Sequence, residues 1–250
     1  MTNYTIQFKH GDDVELEYDD AKHTYMVKGK QVPAVTRIVD AVSPKNLTEW
    51  AVQAGADWWT NNFNNESRHV YNGILNAHRE ISREAQSIGT DVHKWIELRI
   101  RSKMNGGQLL VDYPEHVKTP MQNFHKWLVM AEERGIEWLG SEKKIYSKIW
   151  NYAGTIDALA RINGELYVID FKTSAKIYKD YYLQIFGYAQ AVHEMVNHQD
   201  YKHYPRGMIV RLDKNEDKYQ EVAFGCEPTT FHYALMLKDF QSKRIKKIKV

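Results

Sequence analysis

Asn163-Gly164 constrains this chain more than any other pair of residues in it. It stands between two β-forming runs, Tyr152 to Ile162 and Glu165 to Phe171. A two-residue Asn-Gly loop suits a type I′ turn, whose twist matches that of the strands it joins. The two runs are therefore expected to pair as antiparallel neighbours. Alternation then assigns each side chain a face. Ile169 and Phe171 enter a core, and Asp170 and Lys172 share the other face. On the preceding strand Ile156, Ala158, Ala160 and Ile162 make an apolar face, which leaves Asp157 on the polar one with Thr155. Two carboxylates and a lysine can thus converge on one point.

The pattern on either side is mixed. Tyr4–Phe8, Val14–Tyr18 and Thr24–Val27 read as short strands separated by Gly11-Asp12-Asp13, Asp19-Asp20 and Lys28-Gly29-Lys30, giving a small antiparallel ribbon. Helical spacing follows over Thr36–Val42, Asn46–Asn61, Glu66–Lys103 (with a break near Gly73 or Gly89) and Thr119–Arg134. Trp138–Ser147 opens the strand series. Tyr181–Asn197 is a helix, Gly207–Asp213 and Tyr219–Phe224 are a second strand pair, and Thr229–Ile248 is a closing helix. One α/β domain with a helical and β-ribbon N-terminal extension accounts for this order.

Composition narrows the function classes. The chain has 250 residues, 43% of them hydrophobic, enough for one sizeable core. No apolar run approaches the roughly 20 residues of a membrane span. The start, Met1-Thr2-Asn3-Tyr4-Thr5, lacks the pattern of a secretory signal, so a cytoplasmic location is expected. One cysteine, Cys226, excludes an internal disulfide and any four-cysteine metal or iron–sulfur site. A net charge of +2 means that a nucleic-acid partner would have to be met by local basic patches.

Two carboxylates a few ångströms apart repel, and one becomes neutral unless a cation lies between them. Asp170 sits in an apolar strand, where an unpartnered carboxylate costs several kcal/mol. Mg²⁺ supplies such a cation, since it takes hard oxygen ligands and accepts phosphate oxygens. The Phe171 carbonyl could complete its inner sphere, and Lys172 could orient or deprotonate an attacking water. This is the apparatus of phosphodiester cleavage. Gln184 and Tyr188, four apart, share a helical face with Tyr181. Either that stripe faces the site and touches substrate, or Tyr188 packs in the core and Gln184 is exposed.

The pattern Gly154-x-x-Asp157, Asp170-x-Lys172-Thr173, Gln184-x-x-x-Tyr188 resembles the nuclease core of the PD-(D/E)xK superfamily, in its RecB-like exonuclease branch. It is similar to that of mitochondrial genome-maintenance and bacteriophage exonucleases. The resemblance implies a restriction-endonuclease-like core, a central mixed sheet flanked by helices. It makes Asp157 and Asp170 metal ligands and Lys172 the catalytic lysine. Glu142 matches, less firmly, an acidic residue often found one strand earlier. Ile88-Gly89-Thr90-Asp91-Val92-His93 matches a further element of the branch, which makes His93 an additional metal ligand and brings Mn²⁺ in beside Mg²⁺.

Arg83, Gln86, Thr90, His93 and Glu97 recur at spacings of three and four, along one helical face. Arg83 and Thr90 are therefore candidate phosphate contacts, together with Thr173 and Lys176. The basic run Lys243–Lys249 either tracks a DNA backbone or is a solvated helix end. Core packing is expected for most of Trp50, Trp58 and Trp59.

The resemblance thus implies one nuclease domain over 1–250, comprising an extension (1–65), a helical region with the histidine (66–135) and the core (136–250). The implied activity is Mg²⁺- or Mn²⁺-dependent exonucleolytic hydrolysis of single- or double-stranded DNA with a free end, leaving 5′-phosphates. Its setting would be phage or bacterial recombination, repair or degradation, in the host cytoplasm if phage-encoded. An endonuclease on the same core and a non-catalytic DNA-binding accessory protein are the alternatives. No residue specifies an oligomeric state.

Overall fold

A computed structural model describes residues 1–43, 48–62, 67–107, 112–196 and 203–242, leaving out the side chains of 67–69. The N-terminal segment is a four-stranded antiparallel sheet of β1 (Thr2–Ile6), β2 (Val14–Asp19), β3 (Thr24–Val27) and β4 (Lys30–Val32). Alternation places Ile6, Leu16, Tyr18, Tyr25, Val27 and Val32 on its buried face. Lys28 and Gly29 both take positive φ, the geometry of a tight two-residue turn, which adds β4 to the expected ribbon.

Helices α1 (Val35–Val42), α2 (Thr48–Asn61), α3 (Ser67–Met104) and α4 (Glu115–Glu133) follow. α3 runs unbroken for 38 residues, contrary to the expected interruption at Gly73 or Gly89. Gly73 serves a close contact instead, and Gly89 is accommodated within the helix. A Cβ on Gly73 would lie 2.1 Å from the Trp58 ring, and one on Gly89 3.6 Å from Thr173 Oγ1. Trp58 is thereby packed between α2 and α3, whereas Trp50 and Trp59 keep over a third of their surface exposed. α4 begins four residues before the expected start, because Val117 and Met121, four apart and fully buried, draw the extra turn onto the core.

The second sheet has the order β5 (Glu137–Ser147), β6 (Tyr152–Ile162), β7 (Glu165–Lys172), β8 (Arg206–Leu212), β9 (Tyr219–Phe224). Asn163 and Gly164 take φ of 51° and 81° in the hairpin between β6 and β7. Only β7 and β8 are parallel, and α5 (Lys179–Met195) provides the crossover that a parallel pair needs. α6 (Thr229–Ser242) closes the described chain. The expected basic run Lys243–Lys249 lies outside the described residues.

The result is a mixed five-stranded sheet flanked by helices. One core joins the N-terminal sheet, α1, α5 and α6 to the sheet through Leu16, Ile38, Val168, Ile185 and Phe231. The other joins α3 and α4 to the opposite side through Ile96, Phe124, Trp127, Ile169 and Phe171. Ile156 falls in the first core, while Ala158, Ala160 and Ile162 fall in the second. The single apolar face expected for β6 is therefore split, at the point where the strand leaves its neighbour. Among the described residues no helix is long and apolar enough to cross a membrane.

The α5–α6 contact is tight. A Cβ on Gly187 would lie 2.7 Å from the ring of the fully buried Phe231. Gly187→Ala should therefore lower stability by about 1–3 kcal/mol, although alanine is the better helix former by ~1 kcal/mol. Urea unfolding measures the change, and an unaltered midpoint would contradict this packing.

Candidate functional site

The site lies where β6 and β7 part. Their pairing runs from Ile162↔Glu165 to Ala158↔Ile169 and stops. Beyond that rung β6 continues against β5 as far as Tyr152↔Ser147, and β7 continues against β8 as far as Lys172↔Arg211. Asp157 and Asp170 are the first residues past the split. The Asp157 carboxylate takes over where the ladder ends, accepting the Phe171 N–H at 2.7 Å through Oδ2. Its own carbonyl accepts the Ser141 hydroxyl at 3.1 Å. The Phe171 ring anchors β7 from the other side, with its centroid 5.5 Å from that of Phe124 and 5.3 Å from that of Trp127.

Three side chains from three elements meet at Asp157. α3 lays Val92, Ile96 and Ile100 into the second core, which turns His93 toward the fork. His93 Nδ1 is 3.4 Å from Asp157 Oδ1. Glu142 follows a register shift at Trp138/Gly140 and has φ of 49°, in the left-handed region. For a residue other than glycine that conformation costs about 1–3 kcal/mol and is retained where the surroundings impose it. It brings the Glu142 carboxylate to the cluster. One ligand atom each from His93, Glu142 and Asp157 lie within 4.8 Å of one another. One imidazole and two carboxylates form a donor set that could hold a metal ion.

Asp170 belongs to an adjoining group. It is 1% exposed, on the α5 side of the sheet. Lys172 Nζ lies 2.8 Å from both its oxygens and is aligned as a hydrogen bond to Oδ1, to which Gln184 Nε2 also donates at 3.3 Å. Among the described residues Oδ2 accepts no aligned hydrogen bond and has only this ion-pair contact with the ammonium. Gln184 Nε2 also donates to the Tyr188 hydroxyl at 2.9 Å. Tyr188 is itself 3% exposed, with its ring against β6, where a Cβ on Gly154 would lie 2.7 Å away. Tyr188 thus packs in the core, while Gln184 is turned toward Asp170. The Lys172 ammonium sits 5.0 Å from the centre of the Tyr181 ring.

The other sequence candidates are spread more widely. Thr173 is partly buried beside Gly89 of α3. Thr90 and Arg83 are exposed, and Arg83 stands ten residues before His93, roughly 15 Å along the helix axis. Glu97 pairs with Arg101 at 2.6 Å. Lys176 is exposed, 5.3 Å over the Tyr178 ring. Two neighbours of the cluster carry no signal in the sequence pattern. Ser141 acts through a hydroxyl bond to the Asp157 backbone carbonyl, and Lys144 belongs to a strand whose alternation the register shift obscures.

Electrostatics match the crowding. Burial and the Asp157 charge push the Glu142 carboxyl up to about 7. Burial pushes Asp170 up to about 6 against the opposing pull of Lys172. Burial acts to raise Asp157 as well, but His93 and Lys172 outweigh it and hold Asp157 below its ordinary value. His93 is raised, since its attraction to Asp157 exceeds the desolvation that would lower it.

No protein-family description matches the chain, and no curated protein does. Among solved structures it is similar to SSO0001, at 18% identity over 50% of this chain, with a TM-score of 0.32. The chain spans 59% of that protein's length. It is also similar to LHK-Exo, solved in complex with dAMP, at 10% identity over 84% of this chain and 88% of that one, with a TM-score of 0.41.

The pH dependence follows with a definite sign. Glu142, Asp170 and His93 all bind protons more tightly in the folded chain than in the unfolded one. Metal-free protein therefore gains stability from these groups as pH falls from 8 through 7 and 6 toward 5, and loses it as pH rises. At pH 8 in EDTA, Glu142→Gln should unfold at a higher temperature than wild type, and the gap should close toward pH 5. A gap independent of pH would refute the shift. Saturating Mn²⁺ should raise the wild-type midpoint and leave that of Asp157→Asn nearly unmoved.

Proposed function

We propose that this chain is a metal-dependent DNA exonuclease of the RecB-like branch, acting as one nuclease domain. The observation that carries the reading is the convergence, at one strand fork, of the His93–Glu142–Asp157 cluster and the Asp170–Lys172 pair. The donor set fits a hard divalent cation. A Glu142 carboxyl pushed up to about 7 by burial and the Asp157 charge would be relieved by one. His93, Asp157 and Glu142 would hold Mg²⁺ or Mn²⁺, with Asp170 and the Phe171 carbonyl as further ligands. Such an ion, when bound, supplies Lewis acidity toward water and phosphate oxygen.

The chain's own groups divide the remaining work. Phe171 N–H fixes the Asp157 carboxylate. Gln184, set in turn by Tyr188, fixes Asp170. Lys172, its ammonium held by Asp170, orients the attacking water and offsets charge building on the phosphate, while the proton that the water gives up would pass to a carboxylate of the cluster. Attack on the phosphorus opposite the 3′ oxygen leaves the phosphate on the 5′ end. Thr173, Thr90, Lys176 and Arg83 are carried over from the sequence pattern as phosphate contacts along a longer stretch of the approaching strand. The requirement for a free end, and a role in phage or bacterial DNA recombination, repair or degradation in the cytoplasm, come from the sequence pattern.

End-labelled linear single- and double-stranded DNA, with Mg²⁺, Mn²⁺ or EDTA, tests the reading. Wild type should degrade linear DNA only with metal and spare circular single-stranded DNA. Lys172→Ala should lower the rate on the order of 10²-fold or more. No degradation by wild type, or undiminished degradation by Lys172→Ala, would sink it, and cutting of circles would make the enzyme an endonuclease.

A further inference from the structure

The N-terminal sheet is fastened to the half of β6 that leads into the site. Ala153 N–H donates to the Pro33 carbonyl at 2.9 Å, and the Tyr25 and Thr155 hydroxyls meet at 2.7 Å. Opposite Thr155 in the β5–β6 register stands Lys144, two residues after Glu142. Its ammonium lies 4.5 Å from the centre of the Tyr18 ring and 5.5 Å from that of Tyr4. Tyr18 is held in place by its hydroxyl contact with His23 Nδ1 at 2.8 Å and by packing on Tyr25, ring centroids 4.8 Å apart.

This lysine is carried differently from the other site lysine. Lys172 is engaged by a carboxylate. Glu142, Asp20 and Glu97 act on Lys144 only through space, and among the described residues none reaches ion-pair distance of it. An ammonium seated on aromatic faces keeps its N–H donors for another acceptor. Two tyrosine rings hold the position at little entropic cost, because the rings are themselves packed. Such a cation, two residues along the strand from a metal-capable cluster, is suited to a phosphate that does not react.

We propose that Lys144, seated on Tyr18 and Tyr4, binds a non-scissile phosphate of the DNA strand, so that the N-terminal sheet forms one wall of the DNA path. This rests on the nuclease reading above and adds to it a residue and a surface that the sequence motifs do not contain. It also gives the sheet a purpose beyond covering the core. Tyr18 acts through Lys144, as a positioning residue.

The test measures binding and turnover separately. Binding of a labelled single-stranded oligonucleotide is followed by anisotropy in Ca²⁺ over a range of salt, and cleavage in Mg²⁺ gives kcat and KM. Lys144→Met keeps the stem and should weaken binding on the order of tenfold, flattening the log–log salt slope by about 0.7 for one lost phosphate contact. Its kcat should stay within about twofold of wild type, since uniform binding alone is lost. Lys144→Arg should restore affinity, Tyr18→Phe should retain it, and Tyr18→Leu should show a partial loss. Thermal unfolding of each variant separates lost binding from lost structure, and Lys144→Gln serves if the methionine variant does not fold. Unchanged affinity and salt slope in Lys144→Met or Lys144→Gln, with wild type cleaving, would overturn this inference and leave the nuclease reading standing. Wild type that binds through Lys144 but does not cleave would overturn only the nuclease reading. Wild type that neither binds nor cleaves would overturn both.

Discussion

A single hydrogen bond, from the Phe171 N–H to the Asp157 carboxylate, holds the rest of the site in register. Two strands that separate must leave backbone groups without their ladder partners, and a buried N–H left so costs free energy comparable to a lost hydrogen bond. Here a side chain meets that need, and in doing so it is fixed at the mouth of the fork. The opening between β6 and β7 is what gives His93 and Glu142 room to approach Asp157 while Asp170 and Lys172 stay within the same end of the sheet. Without the split, the ladder would continue and its rungs would close the space.

The two halves of the site come from opposite layers. His93 arrives on α3, which packs in the core shared with α4, whereas Gln184 and Tyr188 arrive on α5, in the core shared with the N-terminal sheet. The sheet between them carries all the acids. This arrangement explains the first glycine of the motifs in contact terms. Gly154 lets the Tyr188 ring lie directly on β6, whereas at Gly89 a Cβ would meet Thr173 at ordinary contact distance. It also explains why so many charges are tolerated in so little space, because each acid except Glu142 has a fixed donor or cation of its own.

Much of this was legible in residue order, because local rules governed it. The Asn163-Gly164 turn, the pairing of β6 with β7, and the shared face of Asp170 and Lys172 follow from turn chemistry and a period of two. Where those rules lapse, the reading lapsed with them. Alternation could not foresee that Ile156 and Ala158 would enter different cores, since the change of face occurs where pairing stops. Gly73 resembled a helix break because the ring that fills the space beside it, Trp58, comes from another helix. Glu142 was visible as an acid one strand earlier, but its central place depends on a left-handed backbone that no propensity announces. Lys144 gave no signal at all, since its partners are two tyrosines brought over from another sheet.

The wide spacing of residues 93, 142 and 157 has a kinetic meaning. His93 closes a long loop with each of the other two ligands, and loops are entropically costly to close before the packing that rewards them. No short stretch of this chain can therefore gather the three donors. The cluster comes into being only when α3, the bulged β5 and the β6–β7 hairpin have docked together, so that a partly folded chain, or one still being synthesised, has no such centre to offer.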